Sequence, residues 1–193
     1  MGDFTLIILA SSSPRRKELL TQIGCNFKVV PSEAEEDNSK ALPPEQIVIN
    51  NAVAKAKDVA DKLTGNDVII GADTIVVMQG EVYGKPINLA DAKRMLSSLS
   101  GNVHTVYTGI AVIKNHTIWR EFEKTAVKLS ELTSEEIDQY IATGEPMDKA
   151  GGYAIQGIAT IFIEEIHGCY TNVVGLPLNK LANLCKKAGI KLL

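Results

Sequence analysis

The sequence predicts an α/β fold in which one mixed sheet with flanking helices carries a central cleft between two lobes. Two observations carry that prediction. Short apolar runs rich in β-branched residues alternate with segments of helical periodicity, beginning with "FTLIILA" followed by "SSSPRRKELL". The stretch "VHTVYTGIAVIKNHTIWREFEKTAVKL" then reads as two long β segments around a turn at Lys114-Asn115, a hairpin that can protrude. At 193 residues the chain is long enough for a single domain, 1–193, with a properly buried core in two lobes. No internal repeat or low-complexity linker divides it.

In chain order, residues 4–10 read as a first strand, and Ser13 and Pro14 open a helix as N-cap and first helical residue. "FKVV" gives a short strand, and the acidic, proline-containing "PSEAEEDNSKALPP" a loop. A long helix runs from about Pro44 to Leu63, where Ile47, Asn51, Val59 and Leu63 mix with alanines before "TGND". "DVIIGADTIVVMQGEVYGKP" gives two apolar strands interrupted at Asp73 and a hairpin turn at Gln79-Gly80. Asn88 caps a helix over 89–99. After the long β pair, a helix from Ser134 to Thr143 stops at Gly144, and the glycine-rich "EPMDKAGGYAIQG" follows. "ATIFIEEI" gives a strand, and "LPLNKLANLCKKA" closes the chain as a helix with Pro177 in its first turn.

Composition narrows the function. A net charge of −3 argues against a broad electrostatic grip on nucleic acid, and 5% aromatic residues offer little for base stacking. Cys25, Cys169 and Cys185 are odd in number and far apart, which suits reduced thiols in a cytoplasmic protein. His167 and Cys169 form a lone H-x-C without the second pair a zinc site needs. The N-terminus has no basic region before its apolar run, and no apolar stretch reaches membrane-spanning length.

The candidate chemistry is local. Arg15, Arg16 and Lys17 crowd the first turn of a helix, where the amides and the macrodipole already make the end positive, so an anion is expected there. Asp73 stands inside an apolar β context and has two readings: a strand-end carboxylate capping a turn after Gly71, or a carboxylate with a cationic or metal partner. Glu33, Glu35 and Glu36 supply companion carboxylates for a hard cation, or simply a solvated loop. Lys55 lies among alanines on the long helix, and Lys85 sits before Pro86 in "YGKP"; surface lysines are the plain alternative. "GEVYGKP" is not a P-loop, and neither G-x-G-x-x-G nor G-x-S-x-G occurs. Cations, carboxylates and a glycine-rich loop with Tyr153 and Gln156 suit metal-assisted attack on a phosphate anhydride.

In order, "SSSPRRKELL", "GADTIV", "GKP", "SGNVHTVYTG", "EPMDKAGGYAIQG" and "GCYTNVVGLPL" resemble the Maf family of nucleoside triphosphate pyrophosphatases. The resemblance implies a fold related to inosine triphosphate pyrophosphatases and cleavage between the α and β phosphates, with Mg2+ or Mn2+ as cofactor. It places the proton acceptor at Asp73, and substrate selection at Arg15, Thr74 and Gln156. Ser11 and Arg16 fall on the family's substrate-binding positions, Lys55 and Lys85 on its lysines, and Glu36 with Asp73 on its metal site. The "YAIQG" loop resembles the branch that takes dTTP and UTP, whereas another branch prefers 7-methyl-GTP. A glutamine amide offers both donor and acceptor to the N3–H and carbonyl of uracil or thymine. The second reading is a nucleotide-sensing or nucleic-acid-binding regulator of cell division with incidental hydrolysis. A homodimer is compatible with either.

Overall fold

The computed structural model describes residues 6–37, 42–63 and 65–192. The start of the predicted first strand, residues 38–41 of the acidic loop and Thr64 of "TGND" lie outside the described residues.

A short strand β1 (Ile7–Leu9) leads through Ala10–Ser13 into helix α1 (Pro14–Gln22), and β2 (Phe27–Val29) returns parallel to β1. Helix α2 (Pro44–Asp61) then carries the chain to β3 (Val68–Met78), which pairs parallel with β1 on its other side. From here the sheet turns antiparallel. A turn at Gln79 and Gly80, both at positive φ, folds β4 (Glu81–Tyr83) back onto β3. Helix α3 (Leu89–Leu99) starts where the Asn88 side chain accepts from the Asp91 amide at 2.8 Å.

Strands β5 (Val103–Lys114) and β6 (Thr117–Leu129) follow, then α4 (Ser134–Ala142), which carries a capping box between Thr133 and Glu136. Single 3-10 turns span Glu145–Asp148, Ala150–Gly152 and Ile158–Phe162 before β7 (Ile163–His167). Helices α5 (Tyr170–Val174) and α6 (Leu178–Lys187) complete the chain. The sheet order is β2-β1-β3-β5-β6-β7, with β4 attached to β3.

The predicted mixed α/β sheet is what forms, with local corrections. Asp73 does not end a strand: β3 runs through it for 11 residues, paired with β5 from Ile69 to Val77. The β5–β6 hairpin does not protrude either, because β5 lies between β3 and β6 in the middle of the sheet. Its turn falls at Asn115-His116, both at positive φ, one residue later than expected. "ATIFIEEI" begins as a 3-10 turn and becomes strand only at Ile163. Pro177 sits at the N-cap of α6, just ahead of its first turn, and α5 is a helix without a counterpart among the sequence expectations.

Strand β3 organises the interior. One face carries Val68, Ile70 and Ala72 into a core with α1 and α6, then Val76 and Met78 into a second core with α3 and α4. Thr74 falls between the two cores. The other face lies under α2, which approaches closely because Gly71 and Gly109 have no side chains. A Cβ at either would stand 2.2 Å from a carbonyl oxygen of α2, Ala52 and Val48 respectively. On its β1 side, β3 pairs with β1 only as far as Ile70 and with β4 only from Val76. Residues 71–75 are left without a strand neighbour on that edge, at the carboxyl end of β1, where open α/β sheets place their ligands.

Candidate active site

Asp73 faces α2, and two residues one helical turn apart on that helix meet its carboxylate. Lys55 Nζ lies 2.6 Å from Oδ1, and Asn51 Nδ2 donates to Oδ2 at 3.0 Å. The close approach allowed by Gly71 brings this short asparagine within reach. Asn51 also accepts from the Asp37 amide at 2.9 Å and donates to its carbonyl at 3.1 Å, which ties the acidic loop to α2. Glu36 then reaches Lys55 Nζ at 2.7 Å, so one ammonium bridges two carboxylates. Of the other loop glutamates, Glu33 pairs with Lys62 at 2.7 Å, and Glu35 is exposed.

On the opposite face of β3, Arg16 is buried and makes three side-chain hydrogen bonds. Its Nε donates to the Gly175 carbonyl at 2.8 Å, and its terminal nitrogens donate to Ser11 Oγ and Thr74 Oγ1, each at 3.1 Å. Burial lowers the Arg16 pKa, while the charges of Asp73 and Glu36 oppose that shift. Thr74 Oγ1 is 2.9 Å from Thr108 Oγ1, which donates to the Asn172 carbonyl at 3.1 Å. A hydroxyl has one proton, so Thr74 donates to Thr108, and the series runs in one direction from Arg16 to Asn172. Asn172 continues the seam by donating to Val106 O and Thr125 Oγ1. These groups fill the gap between the two cores with satisfied polar contacts, apart from Asn172 Oδ1.

The cleft encloses about 340 Å³, and Ser11, Arg15, Arg16, Glu36, Lys55, Asp73, Thr74 and Lys85 all line it. Its wall also contains Asp148, Lys149 and an apolar stretch with Tyr153, Ala154 and Ile155. The lining cations, Arg15, Arg16, Lys55, Lys85 and Lys149, outnumber the carboxylates, Glu36, Asp73 and Asp148. In a chain of net charge −3 this local excess marks a site for a polyanion. Among the described residues no group of three or more His, Cys, Asp and Glu is placed to hold a metal. No helix of the described residues is long and apolar enough to cross a membrane.

Residues 6–188 match the family described as Maf-like protein. The chain belongs to the Maf family. It is 53% identical over 179 residues to the dTTP/UTP pyrophosphatase of Gloeobacter violaceus, across 92% of this chain and 93% of that protein. Its identity to the dTTP/UTP pyrophosphatase of Dictyoglomus thermophilum is 47% over 190 residues, covering 97% and 98% of the two chains. In fold it is similar to the Staphylococcus aureus Ham1 protein, with a TM-score of 0.50 and 13% identity over 95% of this chain and 100% of that one.

Of the positions carried over from the Maf resemblance, Gln156 alone stands apart. Its side chain is exposed in the turn after Ile155, and it does not line the cleft, although Ala154 and Ile155 do. The first-turn arginines divide: both line the cleft, but Arg16 alone is also tied into the buried seam. Ser13 caps α1 only through its backbone, since its side chain makes no cap hydrogen bond. Sequence reasoning missed Asn51, Thr108, Asp148, Lys149 and Asn172 as site residues. Asn51 carried a signal, being the polar residue one turn before Lys55 on an otherwise apolar and alanine-rich helix face.

Proposed function

We propose that the chain is a nucleoside triphosphate pyrophosphatase that converts dTTP and UTP to the nucleoside monophosphate and pyrophosphate. The observation that carries this reading is the meeting, in one cleft, of a buried carboxylate held on two sides with an excess of cations. The names of the Gloeobacter and Dictyoglomus relatives supply the substrate class.

Asp73 accepts the proton of a water that attacks the α-phosphorus. The bond from that phosphorus to the bridging oxygen breaks, and pyrophosphate leaves with the electron pair. Lys55 and Asn51 fix the carboxylate, so a lone pair is presented to water without reorganisation. Lys85 and Arg15 face the cleft as phosphate contacts. Glu36 and Asp73 fit a hard divalent cation: both carboxylates already converge on one cationic atom, and Mg2+ is ordinarily held by one or two carboxylates with substrate phosphates. Bound there, Mg2+ or Mn2+ would neutralise phosphate charge and polarise the reacting phosphoryl group.

Base choice falls to the turn that carries Gln156, which directly follows Ile155 on the cleft wall. The test is pyrophosphate release from dTTP, UTP, CTP, ATP and GTP in the presence of Mg2+. Preference for dTTP and UTP, narrowed towards CTP in Gln156→Ala, supports the reading. Orthophosphate as first product, undiminished turnover in excess EDTA, or a purine preference overturns it.

A further inference from the structure

Arg15 at the start of α1 and Asp148 in the Glu145–Asp148 turn come from separate parts of the chain and meet at the cleft, with Nη1 and Oδ2 3.5 Å apart. The other oxygen of Asp148 lies 2.5 Å from Lys149 Nζ, and that ammonium also donates to the Glu145 carbonyl at 2.8 Å. All three side chains line the cleft. Their exposures differ sharply: the Lys149 side chain is 13% exposed and the Asp148 side chain 62%. Desolvation pushes the Asp148 pKa up, but Lys149 and Arg15 outweigh it and hold the carboxyl below its ordinary range.

The remaining cations show why this cluster matters. Arg16 gives three of its five N–H groups to neutral oxygens of the seam, and Lys55 is paired with Asp73 and Glu36. Arg15, Lys85 and Lys149 are the lining cations tied neither to the seam nor to Asp73. Two of these are held by one carboxylate that is itself 62% exposed, so the anion of the pair, unlike its cations, lies where an incoming anion can replace it. We propose that Asp148 is a resident counter-anion, holding Arg15 and Lys149 towards the cleft and yielding both to the substrate, so that Lys149 is a further phosphate-binding residue.

The exchange rests on the pyrophosphatase reading, and it adds a filter to it. A triphosphate brings several charges against one carboxylate and displaces it. A monophosphate product brings fewer, so Asp148 competes with it on better terms and reclaims the cations. Lys149, from the turn after α4, also gives the polyphosphate a contact from a second part of the chain besides α1.

The test compares wild type, Asp148→Asn, Lys149→Gln and the double variant, using dTTP kinetics and inhibition by inorganic tripolyphosphate. Lys149→Gln raises KM for dTTP and Ki for tripolyphosphate about tenfold or more, the effect of losing a hydrogen bond to a charged group. Asp148→Asn lowers both constants about two- to fivefold, the scale of a screened ion pair. The Asp148→Asn effect shrinks when Lys149 is already glutamine, because one of its two cations is gone. Thermal midpoints are measured alongside, since a merely structural role moves stability and kcat without this opposed pair of binding shifts. Unchanged constants in Lys149→Gln, or a raised KM in Asp148→Asn, overturn the inference while wild-type turnover leaves the pyrophosphatase reading standing. Absence of wild-type turnover on every nucleotide removes both.

Discussion

Lys55 and Asp73 form an ion pair of 2.6 Å in which both side chains are largely withdrawn from water, at 12% and 4% exposure. Breaking such a pair from either end has different consequences. Asp73→Asn keeps the shape and the contact to Asn51 but cannot take a proton. Turnover is expected to fall ~10²–10⁴-fold, the usual cost of a lost general base, with the fold retained. Pyrophosphate release and a far-ultraviolet spectrum check the two halves of that statement.

Lys55→Met leaves Asp73 without its cation on a face crowded by α2. A buried charge that loses its partner is strongly destabilising, and a loss of about 3–5 kcal/mol in urea unfolding is expected. If the variant unfolds at the wild-type midpoint, the pair does not hold α2 to β3.

Arg16→Lys removes the planar fork that satisfies Gly175, Ser11 and Thr74 at once. An ammonium on a shorter stem cannot span all three acceptors. Stability is expected to drop by at least about 2 kcal/mol, and activity with it, even though the charge is kept. Equal stability would mean that charge alone matters at this position.

His104 is buried, with Nε2 2.6 Å from the Tyr153 hydroxyl and Nδ1 without a partner. Burial lowers its pKa from 6.5 to about 4. The unfolded chain therefore binds the proton first as pH falls, so the contribution is complete above about pH 6.5 and is lost on descending towards pH 4. The total is on the order of 3 kcal/mol. In His104→Gln, the difference in urea stability between about pH 7 and pH 4.5 should shrink by a large part of that amount. An unaltered difference would place the pH sensitivity elsewhere.

Gly109→Ala would bring a Cβ within 2.2 Å of the Val48 carbonyl, against backbone that has no room to turn aside. Helix α2 must lift from the sheet, at about 1–3 kcal/mol or more. Because Asn51 and Lys55 ride on that helix, kcat should fall together with the thermal midpoint. A variant that loses stability and keeps full kcat would show that α2 tolerates the shift.

Much of this architecture is legible in local sequence, because it rests on signals spanning only a few residues. Asn88 before α3 and Gly144 after α4 act through their own backbone or side chain, and the structure shows each where local chemistry puts it. Asp73 was legible as an anomaly, but its partners were not. Asn51 and Lys55 lie 22 and 18 residues away in the chain, and only the packing of α2 over Gly71 brings them near. Arg16 illustrates the same limit: read as a first-turn cation, it belongs with Arg15, yet its rotation about α1 turns it inward to Gly175, 159 residues on. Strand preference divides the segment at Asp73, because carboxylates are rare in strands, and here tertiary contacts override that preference. Helix α5 has five residues, too short for periodicity to register.

The unbroken course of β3 bears on how the molecule comes apart. The same strand supplies Val68, Ile70 and Ala72 to one core and Val76 and Met78 to the other, with nine consecutive pairings to β5 alongside. Neither half can lose its packing while the other keeps this strand intact. Unfolding is therefore expected as one cooperative event, and the amides at the centre of β3 should exchange with solvent only through that global opening. The loops at the cleft mouth are expected to exchange independently of that opening, which would divide the protein into a slow spine bearing the carboxylate and a faster rim around it.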